Sequence, residues 1–238
     1  MTDGIVERLC EGVWVGIPAP GDGSMGAIVG RDGIVVVDAT SYDIFAERFL
    51  AAVTDAEGDR PVRFLHITHR HFDHFGGACA LDAIVVGHRL TREAMAAYPE
   101  GWVERNLAEW VEAEMVIPSL LRSPKVVLPQ VLFEDALEIN LGDQSVHLLH
   151  IGGHCADQTV AYVPGARVLF ASDAVFNGKQ AYVGDGDLAT WITGLRDLAE
   201  MRVDLVVPGH GPVGGPELLQ TQRVWLEELR DQQLRGGP

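Results

Sequence analysis

The residues most capable of chemistry lie in one histidine-rich segment. Residues 68–77 read THRHFDHFGG, which places His69, His71, Asp73 and His74 within six positions. Imidazole nitrogens and carboxylate oxygens are ligand types that zinc accepts in proteins. In extended chain the side chains of His69 and His71 lie on the same side, so they can reach one ion. Asp73 and His74 follow a turn, at which the two glycines would let the backbone bend tightly, and we expect this pair to face a second ion.

Three later loops each offer one more residue of a metal-binding type. Each loop follows an apolar run with the pattern of a strand, and the candidate ligands are His154, Asp173 and His210. Loops at strand ends hold functional side chains on a rigid scaffold. A single Gly-His pair in a loop is more often a surface turn. Together with the histidine-rich segment, however, the three loops predict a metal site of seven ligands.

Two ions held close together would make this a hydrolytic site. They lower the pKa of a shared water, giving hydroxide near neutral pH, and they polarise a carbonyl and stabilise the oxyanion that forms on attack. Asp73 is predicted to be catalytic, because a carboxylate beside the nucleophile can orient it and pass a proton to the leaving group. The imidazole majority favours two Zn²⁺ ions, although iron and manganese suit the same donor set.

Strand and helix patterns alternate along the chain that must position these loops. Apolar, β-branched runs predict strands over residues 12–17, 25–30, 34–38, 62–66, 83–86, 136–140, 146–150, 159–163, 167–171 and 204–207. The spacing of apolar residues predicts helices over residues 42–54, 91–116, 187–200 and 216–230, the second of them as one helix or two. This order fits an α/β fold of two packed sheets with helices outside. No linker divides residues 1–238, so we expect a single domain.

The ordered ligand series resembles the metallo-β-lactamase superfamily, in its glyoxalase II and lactonase branch. The resemblance rests on the pattern H-x-H-x-D-H at residues 69–74, followed in order by His154, Asp173 and His210. It implies a four-layer αββα sandwich with the metal site at one edge of the paired sheets. It also implies two ligand groups with Asp173 bridging them: His69, His71 and His154 for one ion, and Asp73, His74 and His210 for the other. Asp38 would be a carboxylate beneath the site, or simply a turn residue at a strand end.

Departures from the family's patterns bear on the substrate. In related β-lactamases with histidine at the second ligand position, the bridging position usually lacks aspartate, so Asp173 favours ester, thioester or lactone hydrolysis over β-lactams. Glyoxalase II has a Gly-Cys-Gly-Arg segment after the bridging aspartate, whereas residues 177–182 here read NGKQAY, which disfavours glutathione thioesters. Lactonases place a tyrosine where Phe176 stands, and the Tyr182 hydroxyl is the candidate to replace it.

The leading prediction is a zinc-dependent hydrolase in which metal-bound hydroxide attacks an ester-like carbonyl. One alternative is a mononuclear iron persulfide dioxygenase, although that group also has the Gly-Cys-Gly-Arg segment that is missing here. A second alternative is a catalytically inactive binding protein that retains the fold. The complete ligand set argues against this second alternative.

A helical insertion is predicted over residues 90–121, within the long stretch between His74 and His154. Its large side chains are Tyr98, Trp102, Trp110, Met115, Ile117 and Leu120. They either form a lid over an apolar part of the substrate, or pack onto the domain or onto a second subunit in a homo-oligomer. Both interpretations stay open at this point.

Several other polar side chains have two interpretations. Lys179 either binds a substrate carboxylate or is solvated, and Cys155 is predicted to be a small buried residue and not a nucleophile. Structural roles are expected for the remaining histidines singled out, which are His66, His88, His147 and His150.

The composition of the chain limits the kinds of partner that the protein is expected to bind. The net charge of −16, from 18 basic and 34 acidic residues, argues against nucleic acid and anionic membranes and leaves a small-molecule substrate. No apolar run approaches the roughly 18 residues of a membrane span, and the N-terminal residues lack the pattern of a signal peptide. Cys10, Cys79 and Cys155 are odd in number and far apart. They predict reduced thiols in a cytoplasmic protein.

Overall fold

Two β-sheets lie face to face between two helical layers in the computed structural model, which describes residues 4–18, 22–112, 116–122 and 124–235. The first sheet has seven strands in sequence order, antiparallel from the first strand to the fourth and parallel from the fourth to the seventh. The strands are β1 (Ile5–Cys10), β2 (Val13–Ile17), β3 (Met25–Gly30), β4 (Gly33–Val37), β5 (Val62–Ile67), β6 (Ile84–His88) and β7 (Val131–Phe133).

The second sheet has five strands, and its last two strands in the chain pair in parallel. The strands are β8 (Ala136–Asn140), β9 (Ser145–His150), β10 (Thr159–Val163), β11 (Val168–Phe176) and β12 (Leu205–His210), in the spatial order β12-β11-β10-β9-β8. The β11–β12 pair is parallel, and the other pairs are antiparallel.

The described residues form six α-helices, five on the outer sides of the sheets and a short one, the second in the chain, at the edge of the sandwich. They are α1 (Asp43–Glu57), α2 (Phe72–Phe75), α3 (Arg89–Ala96), α4 (Trp102–Glu112), α5 (Leu188–Ala199) and α6 (Glu217–Arg235), with short 3₁₀ turns at Gly76–Ala80 and Pro118–Leu120. Among the described helices, none is long and apolar enough to cross a bilayer.

Within the described residues, three apolar clusters hold the layers together, one between the sheets and one on the outer side of each sheet. The middle cluster joins the sheets to each other, for example through Val35 of β4 and Phe170 of β11. One outer cluster packs α1 onto the first sheet through residues such as Phe49, and the other packs α5 and α6 onto the second sheet around Trp191. This layering confirms the predicted αββα sandwich.

The predicted elements differ from the structure in a few places. Two strands, β1 and β7, were not predicted from the sequence. The first is largely exposed, and the second has only three residues, so neither gives a clear apolar pattern. The strand predicted to end at residue 171 continues through Phe176. The segment predicted over residues 91–116 as one helix or two forms two within the described residues, α3 and α4, because Pro99 and Gly101, with φ 69° at the glycine, lie between them.

The carboxyl ends of the parallel strands lie at one edge of the sandwich. There β5 runs directly into the histidine-rich segment, and β12 ends at His210. Thr159 N donates a hydrogen bond to the Thr68 carbonyl oxygen at 3.0 Å, which ties the two sheets together beside this segment.

Candidate metal centre

The histidine-rich segment passes into α2, which carries its last two candidate ligands. His71 precedes α2 in extended conformation, with φ −73° and ψ 143°. Gly76 has ordinary helical dihedral angles, with φ −55° and ψ −38°, so the expected tight bend is not the reason for a glycine there. A Cβ at this position would meet the Ser41 carbonyl oxygen at 2.6 Å. Close approach of two backbones therefore requires the glycine.

The first ligand group consists of three histidine nitrogens and one carboxylate oxygen. His71 Nδ1 lies 3.0 Å from His69 Nε2 and 2.9 Å from His154 Nε2. Asp173 Oδ2 lies 3.3 Å from His154 Nε2 and 3.9 Å from His69 Nε2. Ligand atoms arranged tetrahedrally at about 2.0–2.2 Å from a zinc ion are about 3.3–3.6 Å apart. These four atoms therefore converge as a single ion requires.

The second ligand group consists of Asp73, His74 and His210. Asp73 Oδ2 lies 3.3 Å from His210 Nε2 and 3.9 Å from His74 Nε2. In each group, all ligand atoms lie within 4.8 Å of one another. The structure thus brings all seven predicted residues together, four in the first group and three in the second.

Asp173 contacts the two groups through different oxygen atoms. Its Oδ1 lies 3.0 Å from His74 Nε2 and 3.3 Å from His210 Nε2, whereas Oδ2 faces the first group. The side chain is 4% exposed, so its charge is compensated almost entirely by protein groups. This geometry fits a carboxylate that bridges two ions.

Two buried atoms at this centre have no hydrogen-bond partner within the described part of the chain. They are His74 Nε2 and Asp173 Oδ1, which lie 3.0 Å apart without hydrogen-bond alignment. A buried polar atom without a partner costs about 1–3 kcal/mol, so such atoms are rare in folded proteins. A cation coordinated by both atoms would remove this cost. The residues therefore fit a bound divalent ion.

Every ligand histidine turns its second ring nitrogen toward an oxygen atom, which we call its outer partner. The contacts are His69 Nδ1 with Thr68 Oγ1 at 3.1 Å, His71 Nε2 with Asp185 Oδ2 at 2.9 Å, His74 Nδ1 with Asp38 Oδ2 at 2.8 Å, His154 Nδ1 with the Tyr182 carbonyl oxygen at 3.1 Å, and His210 Nδ1 with the Asp22 carbonyl oxygen at 3.1 Å. Outer partners of this kind fix the tautomer and orient the ring toward a metal.

Asp38 lies beneath the second group, as the family resemblance implied. In addition to its contact with His74, its carboxylate accepts hydrogen bonds from Thr68 N and Thr68 Oγ1, each at 2.8 Å. Asp38 has φ 56° and Ser172, beside Asp173, has φ 46°. Left-handed backbone is uncommon outside glycine and is concentrated at functional sites. The backbone that holds the centre is therefore locally strained at these two positions.

Two histidines of the first group and two of the second have pKa values shifted in opposite directions. Burial lowers the pKa of His154 to about 4 and that of His69 well below its usual value. For His210, burial lowers the pKa, but the carboxylates of Asp173 and Asp73 outweigh it and raise the pKa to about 9. The pKa of His74 is likewise raised, against burial, mainly by Asp173. A histidine must be neutral to bind a metal ion. An ion entering the second group therefore has to displace protons from His74 and His210, whereas His69 and His154 of the first group are already neutral.

The aromatic residues of the helical insertion pack against α2. The rings of Tyr98 and Trp102 stack at 3.9 Å with an angle of 2° between planes, and Trp102 lies 6.5 Å from Phe75. Trp110 stacks on Phe72 at 4.7 Å. These contacts agree with packing onto the domain, the second of the interpretations considered. Of the other predicted members, Leu120 packs against the same apolar cluster, Ile117 is 37% exposed, and Met115 lies outside the described residues.

Residues 176–182 border the metal centre. The Phe176 ring stacks on His210 at 5.1 Å, and Lys179 Nζ lies 6.0 Å from the centroid of the Phe176 ring. The Tyr182 ring is 6.0 Å from the His71 ring, and the residue is 56% exposed. The Tyr182 hydroxyl packs against Gly184 of its own loop.

The additional histidines and Cys155 lie outside both ligand groups. His66 is buried and contacts Thr159 Oγ1 at 2.9 Å, and His88 accepts a hydrogen bond from Leu90 N and stacks on His150 at 3.9 Å. Cys155 is 1% exposed, and burial raises the pKa of its thiol, which suits the predicted small buried residue.

The outer partners Asp22, Thr68 and Asp185 were not predicted from the sequence. Both aspartates occur in Gly-Asp-Gly sequences, at residues 21–23 and 184–186. This pattern marks tight loops, but it does not say which histidine each loop will meet.

Comparison with known proteins agrees with this geometry. The family model described as the Metallo-beta-lactamase superfamily matches residues 18–210, a range that contains all seven ligand candidates. The chain is 29% identical over 191 residues to 2,4-dinitroanisole O-demethylase subunit alpha of a Nocardioides species, covering 77% of this chain and 51% of that protein. It is 26% identical over 168 residues to acyl-coenzyme A thioesterase MBLAC2 of Homo sapiens, covering 64% of this chain and 57% of that protein. The chain thus spans about half the length of these curated relatives.

Solved structures share the fold. A metallo-beta-lactamase from Pontibacter korlensis superposes with a TM-score of 0.74 at 22% identity, covering 94% of this chain and 99% of that one. At this identity the likeness concerns the fold alone.

Proposed function

The chain belongs to the metallo-beta-lactamase superfamily, and within it we propose a dinuclear metal-dependent hydrolase that acts on an ester-like carbonyl. The observation that supports the proposal most strongly is the Asp173 carboxylate, which turns one oxygen atom to each ligand group. A carboxylate in this position can hold two ions close together, as two-metal hydrolysis requires.

The seven residues would hold two divalent ions, and zinc is the metal we propose. When bound, such ions supply a nucleophilic water of lowered pKa and polarise the substrate carbonyl. Five imidazoles and two carboxylates suit zinc, and they also suit iron and manganese. The protein contributes the placement of the ligands and the neutral tautomers that the outer partners select.

Asp73 is the proposed catalytic residue, because it is the more exposed of the two ligand carboxylates and substrate can reach it. Its side chain is 32% exposed, whereas that of Asp173 is 4% exposed. A ligand carboxylate at the open side of the centre can orient the attacking water and pass its proton to the leaving group. The buried Asp173 has no such access and serves as the bridge.

Thioesters and lactones are the substrates we propose ahead of β-lactams. The aspartate at the bridging position favours this class, and the similarity to an acyl-coenzyme A thioesterase is compatible with it. We also propose that the chain belongs to the glyoxalase II and lactonase branch of the superfamily. Phe176 offers no hydroxyl to an oxyanion, so stabilisation of that charge would fall to the ions.

The proposed substrate is a small molecule with a partly apolar body. The net charge of −16 disfavours nucleic acid. Tyr182 offers an exposed ring beside His71, which can receive an apolar group. The mononuclear iron alternative is less favoured, because Asp73, His74 and His210 form a complete second ligand group.

A substrate panel with measured metal content tests the proposal. Protein purified without added metal is analysed for bound metals and then assayed on acyl thioesters, lactones, β-lactams, phosphodiesters and an activated aryl methyl ether. We expect about two zinc ions per chain and turnover of a thioester or lactone. One iron per chain with persulfide oxidation would support the dioxygenase, and two metals without any turnover would support a binding protein.

A further inference from the structure

One loop supplies the outer partners of two histidines of the first group. The loop joins β11 to α5 and spans residues 177–187. His154 Nδ1 donates to the Tyr182 carbonyl oxygen at 3.1 Å, and His71 Nε2 donates to Asp185 Oδ2 at 2.9 Å. The outer partners of the second group come from Asp38 and Asp22 instead.

Asp185 is itself held in place by Arg70, the residue between His69 and His71. Arg70 Nη2 lies 3.1 Å from Asp185 Oδ2, and Arg70 Nη1 donates to Asp157 Oδ1 at 2.8 Å. The Asp157 side chain is 1% exposed and also accepts a hydrogen bond from Arg70 N at 2.8 Å. A buried carboxylate therefore fixes the arginine, and the arginine fixes Asp185 against the His71 ring.

The same loop is tied to the backbone beside His154. Asp187 N donates to the Gly153 carbonyl oxygen at 2.8 Å, and Asp187 Oδ1 accepts from Thr190 N at 2.7 Å at the start of α5. Within the described residues, the Asp187 carboxylate forms no hydrogen bond or ion pair with a ligand histidine, although it carries the same charge two residues after Asp185. The chain thus offers a matched control for any effect of loop charge.

We propose that Asp185 is a positioning residue for the ion bound by the first ligand group. Its hydrogen bond selects the His71 tautomer with a free Nδ1, and its charge makes that nitrogen a stronger ligand. In the described part of the chain, Asp185 forms hydrogen bonds or ion pairs with His71 and Arg70 and with no residue of the second group. Its contribution to metal affinity therefore falls on the first ion and not on the second. The inference rests on the proposed two-ion centre. Removing an outer partner typically lowers metal affinity about 10–100-fold.

The test measures the two zinc affinities separately. Metal-free wild type and the variants Asp185→Ala, Asp185→Asn and Asp187→Asn are titrated with zinc against a chromophoric chelator, and their metal-free melting temperatures are compared. We expect Asp185→Ala to weaken one of two binding steps about 10–100-fold. Asp185→Asn keeps an oxygen that accepts the hydrogen bond from His71 Nε2 and should lose less zinc affinity. Asp187→Asn should bind zinc with wild-type affinity.

The outcomes separate this inference from the proposed function. If wild type binds fewer than two zinc ions, the two-ion proposal itself fails. If wild type binds two ions and Asp185→Ala binds both with unchanged affinity, only the positioning role fails. Equal weakening of both steps, or the same loss in Asp187→Asn, would show a general charge or folding effect and would also overturn the inference.

Discussion

His74 Nε2 lies 3.0 Å from Asp173 Oδ1, and neither atom has a hydrogen-bond partner within the described residues. The opposite nitrogen of the same ring is held by Asp38 at 2.8 Å. The ring is thus fixed on one side by Asp38, and its other nitrogen faces a carboxylate oxygen that also lies 3.3 Å from His210 Nε2. This pair of unsatisfied atoms is what a shared cation would complete.

Asp73→Ala should abolish hydrolysis while leaving the fold intact. The side chain is 32% exposed, so its loss leaves no buried cavity. Loss of a proton-transferring group typically lowers the rate about 10²–10⁴-fold, and loss of a ligand adds to this. The measurement is kcat/KM on the best substrate of the panel, with circular dichroism to follow the fold.

The control for this variant is Asp55→Ala, an exposed position on α1. It makes the same chemical change far from the centre and should retain wild-type turnover. Unchanged turnover in Asp73→Ala would refute the catalytic role of this carboxylate.

Zinc binding to the second group should release protons in a pH-dependent way. The pKa of His210 is raised to about 9, against burial, by Asp173 and Asp73, so this ring is protonated in the metal-free protein below that pH. An ion must displace the proton, and affinity for this ion should therefore rise with pH up to about 9. His154, whose pKa burial lowers to about 4, is already neutral at pH 7 and releases none.

Calorimetric titrations in buffers of different ionisation enthalpy measure this release. At about pH 7.5 the proton count should be clearly positive for one binding step, and above the His210 pKa it should fall. A count that is zero at both pH values, or that grows with pH, would contradict the assigned charge states.

Trp102→Ala should destabilise the protein. The Trp102 ring stacks on Tyr98 at 3.9 Å and lies 6.5 Å from the ring of Phe75, the last residue of α2. Truncating a fully buried aromatic residue costs about 3–5 kcal/mol, and this partly buried ring should cost less. Denaturant unfolding gives the loss of stability, and KM for long-chain and short-chain acyl substrates tests the lid interpretation. A selective rise of KM for long chains would favour a lid.

Trp225→Ala is the matched change for Trp102→Ala. Trp225 is also partly buried, but it packs against the second sheet from α6. It should lower stability without changing KM for either substrate. If both variants changed KM alike, the effect on substrate would come from lost stability and not from a lid.

The sequence predicted the ligands far better than their surroundings. The ligands belong to a local motif or follow apolar runs, both of which can be read along the chain, although Asp173 lies inside β11 and not in the loop predicted to follow it. The outer partner Asp185 is separated from His71 by 114 residues, and no local pattern connects them. Likewise, β7 has three residues and becomes a strand only through pairing with β6. Contacts of this kind depend on tertiary packing.

The most direct test of the account is anomalous diffraction at the zinc edge from crystals of the zinc-loaded protein. We predict two peaks, one among His69, His71 and His154 and the other among Asp73, His74 and His210, with the Asp173 carboxylate between them. A single peak, or two peaks of which neither contacts Asp173, would contradict the bridged two-ion centre.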